Sequence, residues 1–394
     1  MNTQGIFGEA VDRIGGEPIS ARMARRAPIR HLDPVLLVCT LALASYGAVM
    51  IFSATAQTFE DAGLDPATLM KRQLIFSVAG AAVLLAVSMF DYRHLRGLAP
   101  IVYGATLLLL VVVLSPLGEN VRGTKRWINL AFFQMQPSEI AKIAVIIAVA
   151  AFLAERKGEI RWLDVAITVG IVAIPSLLIF LEPDLGTMMV LVSLLGALLL
   201  VAGARIRHFV ALGFMGIVAI LFAMQFNLIR DYQLERITAF LDPSPDVQSE
   251  GYNLTQSKIA IGSGGMRGKG LRGENTQTSL AFVPEQETDF IFTAVGEQLG
   301  FMGSATLLGV FGLLIWRALR ISAMARDLFG TLLAAGVAAL WAFQMFINVG
   351  MTLGIMPITG IPLPFVSYGG SSLITNFVAV GLLLNIHMRR FLKS

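Results

Sequence analysis

From Asp33 almost to its end the chain repeats one pattern, long apolar runs separated by short polar breaks. The runs lie at about 33–54, 73–90, 98–117, 137–154, 162–181, 185–203, 207–225, 293–316, 328–350 and 367–387. As a helix, each is long enough to cross a hydrocarbon core of roughly 30 Å. None alternates in polarity as a barrel strand would, and in lipid every backbone N–H and C=O must be satisfied internally. The pattern therefore predicts an all-α, polytopic membrane protein with about ten transmembrane helices. Residues 1–32 form a polar tail with no apolar core, unlike a cleavable signal peptide, and 33–394 form the membrane domain. Residues 226–288, between the seventh and eighth helices, are predicted to be a long extracytoplasmic loop.

Composition supports lipid as the solvent. The 394 residues are 56% hydrophobic and 14% charged, against roughly 25% charged in soluble domains. The single cysteine, Cys39, excludes an intramolecular disulfide and a Cys-rich metal site. The net charge of +4 is spread over short loops, which suits membrane lipids and anionic headgroups and not nucleic acid.

The placement of charge orients the chain. Arg13, Arg22, Arg25, Arg26 and Arg30 precede the first run, and Arg389, Arg390 and Lys393 follow the last. Arg93 and Arg96, then Arg156, Lys157 and Arg161, then Arg205 and Arg207, then Arg317, Arg320 and Arg326 fall in alternate breaks. By the positive-inside rule both termini and these breaks are cytoplasmic. Two outer segments break the bias: 117–135, with Arg122, Lys125 and Arg126, and 226–288, with Lys258, Arg267, Lys269 and Arg272. Basic outer loops are either plainly solvated or suited to an anionic ligand.

Five stretches carry candidate chemistry. Glu139 and Lys142 share a helix face just after Pro137, and an ionisable pair inside a span is either a structural ion pair or part of a functional cavity. Glu182-Pro183-Asp184 forms a tight outer turn, where Asp184 either caps the next helix or joins Glu182 on a cation or sugar hydroxyls. Gly262, Gly264, Gly265, Gly268 and Gly270 interleave with Arg267 and Lys269, as in a flexible linker or an anion-binding nest. Asp289, in Thr288-Asp289-Phe290-Ile291-Phe292, lies where loop meets helix, as a cap or as a partly desolvated general base. Finally, Gly360 to Ser372 contains Pro362, Pro364, Ser367, Gly369, Gly370 and Ser371. That composition reads as a re-entrant loop lining a cavity, or as a short turn.

These stretches, together with Gly123-Thr124-Lys125-Arg126-Trp127-Ile128, resemble the SEDS family (shape, elongation, division and sporulation), and its RodA branch more than its FtsW branch. The resemblance runs from about Asp33 to the end. It implies a ten-helix peptidoglycan glycosyltransferase of the bacterial cytoplasmic membrane, polymerising lipid II (undecaprenyl-pyrophosphoryl disaccharide-pentapeptide) for elongation and rod shape. It further implies a class B penicillin-binding protein as transpeptidase partner. Asp289 matches the family's essential aspartate, and Glu139 and Lys142 match the polar pair of its central cavity. Glu287 stands where histidine is frequent in the family. Developing pyrophosphate charge would be met by Arg122, Lys125, Arg126, the basic glycine loop, or a divalent cation such as Mg or Mn. A lipid II flippase and a non-catalytic scaffold are the alternative readings, and division or sporulation the alternative roles.

Overall fold

The computed structural model describes residues 32–121, 124–130, 133–156, 158–226, 250–273, 276–278 and 285–390, with isolated positions 240, 280 and 282. Most of the N-terminal tail, Arg122 and the last four residues lie outside the described residues. In order, the elements are α1 (Pro34–Asp61), α2 (Thr68–Met89), α3 (Tyr92–Leu114), β1 (Glu119–Val121), β2 (Thr124–Asn129), β3 (Gln134–Met135), α4 (Pro137–Ala154), α5 (Trp162–Leu181), α6 (Leu185–Val201), α7 (Ile206–Gln225), α8 (Glu250–Gly264), α9 (Ile291–Ala323), α10 (Leu328–Leu353) and α11 (Gly370–Arg389).

Ten of these helices coincide with the ten apolar runs. Nine are long and apolar enough to span, and α6 is slightly shorter. Helix α1, of 28 residues, outruns a bilayer core at 1.5 Å per residue, and α9, of 33 residues, is interrupted at Gly300. They extend past the ends that apolarity marks because nothing in their polar flanks breaks a helix. Caps set several starts. Asp33 accepts from Val35 N and Leu36 N at 3.1 and 3.2 Å ahead of Pro34, and Asp327 accepts from Gly330 N at 2.8 Å. Two elements were not expected: the antiparallel sheet β1-β2-β3, and α8, inside the predicted long loop and packed on α9.

Helices α4, α10 and α11 form the interior, with α11 laid along α2 and α10 against α4, α6 and α9. Helix α7 stands at the periphery, with 6% of its most apolar window buried. Between α10 and α11, residues 354–369 have no regular structure, yet Ile358, Ile361, Leu363, Phe365 and Val366 are buried. Gly47 of α1 permits this, since a Cβ there would stand 2.6 Å from Val366 Cα. Phe365 packs edge-on against Trp341 and Phe377 with ring centroids 5.8 Å apart in both cases. Irregular backbone at this depth persists where protein groups satisfy it, and those groups define the site.

Candidate functional site

The buried segment 354–369 is the hub to which the separate motifs attach. Ser367 donates its hydroxyl to Thr288 O at 2.5 Å and accepts from Leu363 N at 2.8 Å. Tyr368 N donates to Glu287 O at 2.8 Å. Asn348 of α10 donates from its one amide nitrogen to Asp289 O and to Ile361 O, both at 2.8 Å. In the first turn of α11, Ser371 donates to Gln134 O and accepts from Gln136 N, each at 2.9 Å. This fixes β3 and the start of α4. The turn between α5 and α6 presses on the same segment, for a Cβ on Gly186 would stand 2.7 Å from Thr359 O. Arg126, on β2, closes the assembly by donating to Glu182 O at 2.9 Å and to Pro183 O. The Thr288-Asp289, Gln136–Lys142 and Glu182–Asp184 motifs thus meet at one end of the bundle.

The carboxylates at this end differ in their surroundings. Asp289 is half-buried on a turn closed by Phe290 N donating to Glu285 O at 3.2 Å, and Phe290 holds the N-cap position of α9 without a capping side chain. Glu139 and Lys142 are 1% and 2% exposed and paired at 2.7 Å. Asp184 caps α6, accepting from Thr187 N at 3.0 Å and Thr187 Oγ1 at 2.9 Å. That assigns Asp184 to the helix and leaves Glu182, 1% exposed, with neither carboxylate oxygen partnered among the described residues. Burial, reinforced by Asp184 and opposed by Arg126, pushes the Glu182 carboxyl up to about 8. Among the described residues, other buried polar atoms have no protein partner either: Glu139 Oε2, Ser138 Oγ, Asn348 Oδ1 and both amide atoms of Gln344. Buried polar groups are ordinarily satisfied, so these atoms can serve water or a polar ligand.

The basic glycine stretch is arranged differently from an open nest. Gly300 breaks α9 at φ +66°, ψ −161°, which removes helical partners from the flanking backbone. The glycine loop supplies them: Lys269 N and Gly270 N donate to Glu297 O and Gln298 O at 3.0 and 2.9 Å, and Phe301 N donates to Gly265 O at 2.8 Å. Gly268 has to be glycine here, because a Cβ would stand 2.1 Å from Gln298 O. Lys269 Nζ pairs with the fully buried Glu297 at 2.8 Å. Glu297 also accepts from Gln277 N, Thr278 N and Thr278 Oγ1 at 2.8, 2.9 and 2.6 Å. Lys125, Lys258 and Arg267 remain exposed.

Asn348, Gln344 and Glu297 were not among the expected site residues, and Glu182 was expected only as a companion of Asp184. The signal for Asn348 and Gln344 is a pair of amides one turn apart inside an apolar run, on one helix face.

The sequence profile of the FtsW/RodA/SpoVE family, described as a cell cycle protein, matches residues 34–391. The chain belongs to the FtsW/RodA/SpoVE family. It is 39% identical over 365 residues to the peptidoglycan glycosyltransferase MrdB of Escherichia coli K12, covering 92% of this chain and 95% of that protein. It is 40% identical over 366 residues to a probable peptidoglycan glycosyltransferase FtsW of Trichlorobacter lovleyi, covering 92% and 95%. A solved chain from work on the structural coordination of polymerization and crosslinking by a peptidoglycan synthase complex superposes with a TM-score of 0.77 at 31% identity, covering 92% of this chain and 99% of that one. As a family member the chain is a multi-pass membrane protein.

Proposed function

We infer that this protein is a peptidoglycan glycosyltransferase that joins lipid II units into glycan strands, with Asp289 as general base. The observation that carries the reading is the attachment of the Thr288-Asp289, Gln136–Lys142 and Glu182–Asp184 motifs to one buried segment at one end of the bundle. Its family relatives named as peptidoglycan glycosyltransferases support it.

In the step, the 4-hydroxyl oxygen of the acceptor sugar attacks the anomeric carbon of a donor lipid II. Asp289 takes the hydroxyl proton as the new C–O bond forms. The anomeric bond to phosphate breaks and undecaprenyl pyrophosphate leaves with the bonding pair. A general base contributes about 10²–10⁴-fold, so positioning and charge stabilisation supply most of the rest. Vacant polar atoms on Glu139, Ser138, Gln344 and Glu182 suit sugar hydroxyls. Exposed Lys125, Lys258 and Arg267 suit pyrophosphate. A Mg or Mn ion would arrive with the pyrophosphate, since Mg²⁺ is commonly held by one or two carboxylates and substrate phosphates. Among the described residues no group of three or more His, Cys, Asp or Glu is gathered for a metal.

The positive-inside distribution supports a reading with this end on the outer face of the cytoplasmic membrane and both termini inside. Similarity to a chain of a complex that couples polymerization to crosslinking supports a class B penicillin-binding protein as partner. We assign the chain to elongation and rod shape on its motif resemblance to RodA. Identity to MrdB and to FtsW is nearly equal, so complementation of elongation-depleted against division-depleted cells decides that role.

The central test is gel-resolved polymerisation of labelled lipid II by wild type and Asp289→Asn, with partner and divalent ion supplied. Polymer from the wild type alone is expected. Polymer from both removes Asp289 from its role. Polymer from neither replaces the reading with lipid II translocation, measurable in vesicles.

A further inference from the structure

Helices α5 and α7 begin side by side at the membrane face opposite the candidate site. The Glu182 turn lies at the far end of α5, whose 20 residues span about 30 Å at 1.5 Å per residue. Between the two helix starts is a cavity of about 420 Å³ lined by Gly158, Glu159, Ile160, Arg161, Trp162 and Arg207. Its charges are not self-cancelling. Glu159 is taken up by Arg205, and Arg156 by Asp164 at 3.2 Å. Arg161 and Arg207 have no carboxylate within ion-pair reach among the described residues, and the Arg207 guanidinium lies 5.8 Å from the centre of the Trp162 ring. The indole is itself held in place. The buried His208 ring meets it edge-on at 4.4 Å, and His208 Nδ1 accepts from Arg205 N at 3.1 Å.

The cavity mouth continues into apolar, outward-facing surface: Leu163 is 69% exposed on α5, and Ile206 and Val210 are 77% and 67% exposed on α7. A fixed amphipathic indole, two unpaired guanidiniums and an apolar flank at one level of the membrane are the chemistry that holds a lipid headgroup at an interface. We propose that this cavity binds the phosphodiester headgroup of an anionic phospholipid in the leaflet opposite the candidate site. Arg161 and Arg207 take the phosphate, Trp162 lies against the glycerol backbone, and the acyl chains run along Leu163 and Val210. Two guanidiniums without an ion-pair partner among the described residues can donate together to the one phosphate of such a headgroup. The apolar flank distinguishes a lipid from free phosphate, which would leave it unused.

The test is native mass spectrometry of protein released from nanodiscs of mixed phosphatidylglycerol and phosphatidylcholine. Wild type is compared with Arg161→Gln/Arg207→Gln, and with Arg320→Gln as a basic residue of the same face outside the cavity. Wild type and Arg320→Gln are expected to retain one more phosphatidylglycerol than the double variant, whose apparent affinity falls tenfold or more. Equal retention by the double variant, or equal retention of phosphatidylcholine by the wild type, overturns the proposal. Displacement of the lipid by millimolar inorganic phosphate would make the cavity a soluble-phosphate site and overturn the lipid assignment. A second measurement holds should the double variant fail to insert. Brominated phosphatidylglycerol should quench wild-type tryptophan fluorescence more than brominated phosphatidylcholine does, and the difference should vanish in Trp162→Phe. Equal quenching by the two lipids in the wild type rejects the site.

Discussion

Asn348 holds two carbonyls with one amide nitrogen, that of Asp289 and that of Ile361. It thereby sets the backbone carrying the proposed base against the buried segment beside it. Removing it takes this side-chain donor from both carbonyls, at about 1–3 kcal/mol, and small displacements of a base cost rate steeply. Asn348→Ala should slow polymerisation by roughly 10- to 100-fold while the protein still inserts and purifies as a single species, which turnover and size-exclusion profiles together would check. Glu182 is testable through pH. Its carboxyl is raised from 4.5 to about 8 in the folded protein, so between those values the folded state keeps a proton that the unfolded chain releases. Stability is therefore present in full below about 4.5 and is lost as pH rises through about 8. Glu182→Gln mimics the protonated form and should raise the thermal midpoint at pH 8.5, by on the order of 1–3 kcal/mol in stability, with little change at pH 5. A wild type and variant that melt in parallel across that range would show the group unshifted. The distinction between Glu182 and Asp184 was half legible in the sequence. Asp184 with Thr187 three residues on is a cap pattern, whereas nothing local reveals that Glu182 O and Pro183 O answer to Arg126 from β2.

Apolar patterning located the ten apolar helices, nine of them long enough to span, because burial in lipid imposes one requirement on every residue of a run. It failed where structure depends on partners distant in sequence. Strands β1 to β3 are two to six residues long, too short for a period of two to register. The glycine stretch read as either a flexible linker or an anion nest because glycine and basic residues say nothing of what they meet, and Glu297 lies 28 residues from Lys269. Its observed task is to satisfy the break in α9 at Gly300. A Cβ on Gly300 would stand 2.4 Å from Gly268 N, and the residue sits at positive φ, so Gly300→Ala should destabilise by more than the ~1–3 kcal/mol of strain alone. It should also release the loop to proteolysis between α8 and α9, which limited digestion reads directly. Helix α4 separates structure from function in another way. Glu139→Ala strands a buried ammonium and should cost roughly 3–5 kcal/mol, whereas Glu139→Leu/Lys142→Met removes both charges and should restore the fold. If the pair serves catalysis, the refolded double variant stays inactive. If it only fixes packing, activity returns with stability.

At the scale of the molecule, the two ends of the bundle differ in charge, and that difference predicts the orientation of the whole. At the end opposite the site, Asp33 pairs with Arg317, Tyr92 donates to Asp327 at 2.6 Å, and Arg389 pairs with Asp91 at 3.1 Å. These bonds tie α1, α3, α9, α10 and α11 together where arginines concentrate. If that end faces the cytoplasm, as the positive-inside rule requires, the α1–α2 connection lies outside and the α2–α3 connection inside. The sequence offers a clean way to measure this, because Cys39 is its only cysteine and is buried at 4% exposure. On a Cys39→Ala background, a cysteine replacing Leu64, 58% exposed in the first connection, should react with a membrane-impermeant maleimide in intact cells. One replacing Phe90, 51% exposed in the second, should react only after permeabilisation. The reverse pattern would put Asp289 and its hydrogen-bonded neighbours on the cytoplasmic side, where nascent strands could not join the wall, and would remove the polymerase reading along with the topology.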